Sequence, residues 1–250
     1  MDSKRSPQRV AVRATFARIL VKPRSRGSIH VRSAETDRLV CIHENAHIAR
    51  VSCLSAGDDG LLLASGGADA CVRLWSVGRQ AALDSVAVLC AHTAAVLCVH
   101  VCGALSLVAS GGADGLTLLW DVRRRELARV VDCAVGGVCA VAISAAGGEI
   151  CSCVGGQYRI FSVNGVRLAA VSTDSAIARA SLCVALAFSS LSIVTSHADG
   201  TVRCWDLEWR IEGSSSGIGS FDSVDASQRG ASARTRNVYA PSLRWVEEMR

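Results

Sequence analysis

An all-β fold assembled from repeated units of about four strands is what this sequence predicts, and three observations carry that prediction. The first is self-similarity. Ala64-Ser-Gly-Gly-Ala-Asp-Ala-Cys-Val-Arg-Leu-Trp75 aligns without a gap on Ala109-Ser-Gly-Gly-Ala-Asp-Gly-Leu-Thr-Leu-Leu-Trp120, and a third copy reads Val194-Thr-Ser-His-Ala-Asp-Gly-Thr-Val-Arg-Cys-Trp205. The second is spacing. Trp75 and Trp120 stand 45 residues apart, and a weaker unit ending Tyr158-Arg-Ile-Phe161 falls 41 residues after Trp120 and 44 before Trp205. The third is texture: short alternating or apolar runs divided by Gly/Asp turns, which is the pattern of strands joined by hairpins.

The units can be followed in order along the chain. Ser28-Ile-His-Val-Arg32 resembles the same unit with Arg32 in the Trp slot, 43 residues before Trp75. Runs such as Val51-Ser-Cys-Leu-Ser, Leu61 to Ser65 and Val72-Arg-Leu-Trp75 read as strands. The Asp-Gly pairs at 59–60, 114–115 and 199–200 suit tight turns, where a positive φ is needed and glycine supplies it without steric cost. Four or five such units are stacked. A period of 40 to 45 residues with four strands per unit is the signature of a β-propeller.

The motifs resemble those of the WD40-repeat family across residues 28–208. Two units carry the family's full set, His47, Ser65, Asp69 and Trp75 in one and His92, Ser110, Asp114 and Trp120 in the next, with 22 residues from His to Asp and 6 from Asp to Trp in both. The resemblance implies that these residues form a buried hydrogen-bond network. The unit ending at Trp205 keeps Thr195, Asp199 and Trp205 but has Ile177 where His would fall, and the unit ending at Phe161 lacks both His and Asp. Those two units are expected to be less rigid. The family's commonest ring has seven blades, more than this chain supplies, so the ring is expected to be incomplete or to be completed by another chain.

A narrower resemblance lies in Arg159-Ile-Phe-Ser-Val-Asn-Gly-Val-Arg-Leu-Ala-Ala followed by Ser192-Ile-Val-Thr-Ser-His-Ala-Asp-Gly-Thr-Val-Arg-Cys-Trp205. This is similar to the C-terminal propeller of BEACH-domain proteins of the neurobeachin and beige kind, with Ser196 in place of the usual Gly. It implies a scaffold of membrane traffic or autophagy.

Three patterns invite a chemical reading. His43-Glu44-Asn-Ala-His47 spells the H-E-x-x-H of zinc hydrolases, in which a helix sets both His on one face and Glu activates a zinc-bound water. Here His47 also fills the repeat's His slot, aligned with His92 in a strand-loop context, so architecture is the stronger reading and zinc hydrolysis the alternative. The Ser, His and Asp of each full unit are the ingredients of a nucleophilic triad, but recurrence at fixed spacing marks structure, whereas catalysis needs one copy. Gly-Gly at 66–67 and 111–112 precedes neither Lys-Ser/Thr nor a helix, so it is not a phosphate loop.

The formal charge of +5 is uneven: residues 1–50 hold 11 Lys/Arg against 4 Asp/Glu. The excess comes from Lys4, Arg5, Arg9, Arg13, Arg18, Lys22, Arg24 and Arg26, in a basic segment 1–27 that reads as the edge of a partial blade, with acidic-lipid or nonspecific nucleic-acid contact and an Arg-rich presequence as alternatives. Residues 209–250 form a Ser/Gly/Arg-rich tail, in which Leu243-Arg-Trp-Val-Glu-Glu-Met can dock as a strand or short helix. The twelve Cys follow no disulfide or zinc spacing and read as reduced thiols packed as small hydrophobes, in keeping with a cytoplasmic protein. The expected function is a protein-binding scaffold without catalysis, cofactor, metal, small-molecule substrate or specific nucleic acid. Arg50, Thr93, Arg179 and His197 are the candidate partner contacts on the loops.

Overall fold

The computed structural model describes residues 12–14, 19–23, 27–33, 35–58, 60–78, 82–172, 183–189, 192–197, 202–211 and 239–249. These form five four-stranded antiparallel sheets, each built from four strands consecutive in the chain. The first contains β1 (Val12–Ala14), β2 (Ile19–Pro23), β3 (Ile29–Ser33) and β4 (Leu39–His43). The second contains β5 (Val51–Ala56), β6 (Leu62–Gly67), β7 (Cys71–Val77) and β8 (Leu83–Cys90). The third contains β9 (Val96–Cys102), β10 (Leu107–Gly112), β11 (Leu116–Asp121) and β12 (Glu126–Cys133). The fourth contains β13 (Val138–Ile143), β14 (Ile150–Val154), β15 (Gln157–Phe161) and β16 (Arg167–Ser172). The fifth contains β17 (Cys183–Ser189), β18 (Ser192–His197), β19 (Val202–Ile211) and β20 (Tyr239–Met249).

The first strands of successive sheets lie against one another, β5 on β9, β9 on β13 and β13 on β17, so the sheets converge like blades on an axis lined by their inner strands. Among the described residues no comparable packing joins the fifth blade to the first, and the ring is not closed. This is the all-β arrangement of four-stranded propeller blades expected, with five blades among the described residues. Sheet-forming segments extend past the 28–208 array in both directions. The basic N-terminal residues supply β1 and β2, and β20, from the region assigned to the tail, returns as the outer strand of the fifth blade. Residues 213–236, the core of that tail, lie outside the described residues.

The apolar core sits between blades. Ile29 and Val31 of the first blade pack on Leu54, Leu63 and Trp75 of the second. Val72 and Leu74 of the second share a cluster with Val101, Val108 and Trp120 of the third. Ala109 and Leu119 of the third meet Val141, Ile150 and Phe161 of the fourth. Because each central strand is covered on both faces, β6, β10 and β14 read as nearly continuous apolar or small-residue runs instead of strict alternation. Polar stitches cross the same seams: Ser55 Oγ accepts the Val101 N–H at 3.1 Å, and His100 Nδ1 accepts the Ile143 N–H at 3.3 Å.

One expectation is corrected. Cys71 and Cys90 form a disulfide, so not all twelve Cys are reduced thiols, and the compartment argument drawn from them loses that support. The two stand directly opposite in the pairing of β7 with β8, with Cα atoms 4.7 Å apart. Their separation of 19 residues is set by strand register, not by a short sequence motif. Cys53, Cys102, Cys151 and Cys153 are buried and carry no disulfide, and burial pushes the Cys53 thiol up to about 12.

Candidate functional site

Each blade has an upper end, where the loop before its inner strand meets the turn between its second and third strands. In the second blade that end is organised by a chain of four side chains. Trp75 Nε1–H donates to Ser65 Oγ at 2.9 Å, Ser65 Oγ–H donates to His47 Nε2 at 2.8 Å, and His47 Nδ1–H donates to Asp69 Oδ1 at 2.9 Å. The third blade repeats it with Trp120, Ser110, His92 and Asp114 at 2.8, 2.8 and 3.0–3.1 Å. Ser65 and Ser110 are completely buried. Each imidazole and hydroxyl gives one hydrogen bond and takes another, and each indole N–H gives one, which is how buried polar groups avoid the cost of about 1–3 kcal/mol for each one left unpaired.

The carboxylates reach beyond the chain of side chains. Asp69 accepts the N–H groups of Ile48 at 3.0 Å and Cys71 at 3.3 Å, and Asp114 those of Thr93 at 2.8 Å and Leu116 at 3.0 Å. One acid therefore pins its own turn and the loop before the inner strand. Burial would raise the Asp69 carboxyl, but its bonds from His47 and the two backbone groups overcome this and hold it below the ordinary value; Asp114 is held low by the same kinds of bond. Burial lowers His47, keeping the imidazole neutral with its Nδ1 proton on Asp69.

This geometry also explains the paired glycines. A Cβ on Gly67 would collide with His47 Nδ1 and Asp69 Oδ1, and one on Gly112 with His92 Nδ1 and Asp114 Oδ1. In the fourth blade, where neither His nor Asp is present, Cys153 and Val154 take the glycine positions and a two-residue Gly155–Gly156 turn with φ of 55° and 83° closes the hairpin. Ser152 still occupies the Ser slot there, opposite Arg159, and its buried hydroxyl has no partner among the described residues. Tyr158 instead stacks toward Trp205 of the fifth blade at 5.4 Å. In that fifth blade Trp205 Nε1–H donates to Thr195 Oγ1 at 3.2 Å, whereas Asp199 and Ile177 lie outside the described residues.

The zinc motif does not take the form its chemistry needs. His43 ends a strand and His47 follows in a turn, and both His47 ring nitrogens are committed to Asp69 and Ser65. His43 instead lies against Trp75, with ring centroids 5.5 Å apart. Among the described residues no cluster of His, Cys, Asp or Glu is arranged to hold a metal.

Of the candidate contacts, Arg50 and Thr93 are exposed on the upper loops; His197 lies on β18 with its side chain outside the described residues, as is the whole of Arg179. The structure adds two residues that the sequence reading missed. Ile48 is 91% exposed and Val135 101%, and with Thr93 each stands three residues before the inner strand of its blade. The available signal was that shared offset from Val51, Val96 and Val138.

The family model for the WD domain, G-beta repeat, matches residues 39–76, 83–121 and 179–206. Each of the first two matches begins on the outer strand of one blade and runs through the first three strands of the next, so a repeat is shared between two sheets and ties them together. The chain therefore carries WD40 repeats in three places, and the fourth blade lies outside the matches. No curated protein matches the chain. Nothing in these comparisons links it to a BEACH-domain protein.

Proposed function

We propose that this chain is a protein-interaction scaffold whose partners are read by the upper ends of its blades. The observation that carries this reading is the coupling of network to loop: Asp69 and Asp114 hold the backbone of Ile48 and Thr93 while the side chains of both residues project into solvent. Ile48 is an apolar side chain held on a fixed backbone, which suits docking because little conformational entropy is lost when a partner covers it. Arg50 adds a cation beside it, and Val135, at the same offset but without such a tether among the described residues, continues the row into the fourth blade. No reaction is assigned to the buried Ser and His, whose partners are all structural. A pull-down with the full chain tests the proposal: Ile48→Asp, Val135→Asp and Arg50→Glu are expected to deplete the captured partners without altering folding, and an unchanged partner set would overturn it.

The narrower reading, a cytoplasmic scaffold of membrane traffic or autophagy, is supported by the likeness of residues 159–170 and 192–205 to the propeller of BEACH-domain proteins, with the basic N-terminal residues available to acidic lipid. Its test is whether the captured proteins act in membrane traffic.

A further inference from the structure

The lower end of the third and fourth blades carries a second, chemically different surface. Four turns meet there: 103–106, 122–125, 144–149 and 162–166. A Cβ on Gly148 would sit 3.8 Å from both Leu105 Cδ1 and Val163 Cβ, so these two exposed aliphatic side chains flank one shallow seam between the blades. Val166, 60% exposed, continues the same turn.

Arginines surround this apolar seam. Arg123 is held on the third blade by its Nε–H bond to Ser106 Oγ at 3.1 Å, next to Leu105. Arg129, on the outer strand β12, crosses to the fourth blade, where its Cδ lies 2.7 Å from where a Cβ on Gly165 would be. Arg124, Arg125 and Arg167 are exposed nearby. The local acids pair with Arg124 alone: Asp121 Oδ2 lies 4.0 Å and Glu126 Oε1 3.7 Å from its guanidinium, while Asp121 Oδ1 accepts the backbone N–H groups of Arg123 and Arg124. Among the described residues Arg125, Arg129 and Arg167 form no ion pair.

We propose that this seam docks an acidic peptide segment of a protein partner, its carboxylates meeting the guanidinium forks of Arg123, Arg129 and Arg167 and an aliphatic side chain seating among Leu105, Val163 and Val166. Carboxylates match the planar, two-pronged donors of arginine, and Leu105 and Val163 on either side of Gly148 give an aliphatic side chain apolar neighbours from both blades. An anionic membrane is the poorer fit. The patch has no Trp, Tyr or Phe to anchor in a lipid interface, and Asp121, Glu126 and Glu149 among its arginines would be pressed against like charge by an anionic membrane surface.

The test is fluorescence anisotropy of the full chain with a labelled synthetic peptide of alternating Glu and Leu, beside the same peptide with Lys for Glu, and sedimentation with phosphatidylcholine vesicles containing phosphatidylserine. The acidic peptide is expected to bind and the basic one not to. Arg129→Glu with Arg167→Glu should weaken binding about tenfold or more, and Val166→Asp several-fold, with melting curves unchanged because all three side chains are solvent-facing. Equal affinity of wild type and variants for the acidic peptide would overturn the proposal. So would binding to vesicles, lost in the arginine variant, with no binding to the peptide.

Discussion

The third and fourth blades are neighbours with the same strand order and similar apolar packing, yet they close their upper ends by different physics. In the third blade Trp120, Ser110, His92 and Asp114 satisfy one another, and Gly112 leaves the room they need. In the fourth, Phe161 has no side-chain N–H to give, no His or Asp stands in the motif positions before it, Val154 fills the space and Gly155–Gly156 makes the turn unaided. The comparison teaches that the polar network is not what makes a four-stranded blade form. Its distinctive effect is to fasten the loop before the inner strand, through the bond from the Thr93 N–H to Asp114, for which Val135 has no counterpart among the described residues.

The harshest way to break that comparison is Asp114→Ala. It strands the His92 Nδ1–H and the backbone N–H groups of Thr93 and Leu116, and urea denaturation should show a loss of about 3 kcal/mol. Acidification should act next, and on both complete networks. His47 has its folded value below the ordinary 6.5, so the unfolded chain takes up that proton first, and stability should hold above about pH 6.5 and fall as pH drops below it. Asp69 and Asp114 lie below the ordinary 3.8, so a second loss should begin near there as the unfolded carboxylates protonate first. Denaturation midpoints measured from pH 8 to 3 would check both steps.

The serine slot separates the blades most cleanly. Ser110→Ala leaves Trp120 Nε1–H and His92 Nε2 unpaired and should cost about 2 kcal/mol, whereas Ser152→Ala removes a hydroxyl that has no partner among the described residues and should be neutral or stabilise by up to about 1 kcal/mol. Equal losses at the two positions would show that Ser152 has a partner of its own. The smallest effect expected is at Ala70, whose φ of 62° sits where Gly27, Gly115 and Gly156 have 73°, 80° and 83°. Ala70→Gly should raise stability by about 0.5–1 kcal/mol, read as a higher melting temperature, because the left-handed conformation costs an L side chain more than glycine loses in entropy.

Much of this architecture was legible because it is periodic. Trp75 and Trp120, with the His, Ser and Asp at fixed distances before each, repeat often enough to reveal units, strands and turns. What depends on register or on distant pairing was not legible. Cys71 and Cys90 meet only because β7 and β8 align them, and β20 pairs with β19 across residues 212–238, whose Ser/Gly/Arg composition suggests a tail. Gly67 and Gly112 read as a generic turn feature until the His–Asp pairs beside them are placed. Ile48 and Val135 look like ordinary apolar residues, since exposure belongs to the folded loop and not to the residue type.

The central claim, that the network's distinctive role is to fix the loop it presents, is tested most directly by amide hydrogen exchange at Thr93 and Val135 in the wild type and in Asp114→Ala under conditions where both remain folded. The Thr93 amide should be protected in the wild type and exchange as fast as that of Val135 in the variant, with β13 to β15 unchanged. Thr93 exchanging as fast as Val135 in the wild type, or staying protected without Asp114, would contradict it.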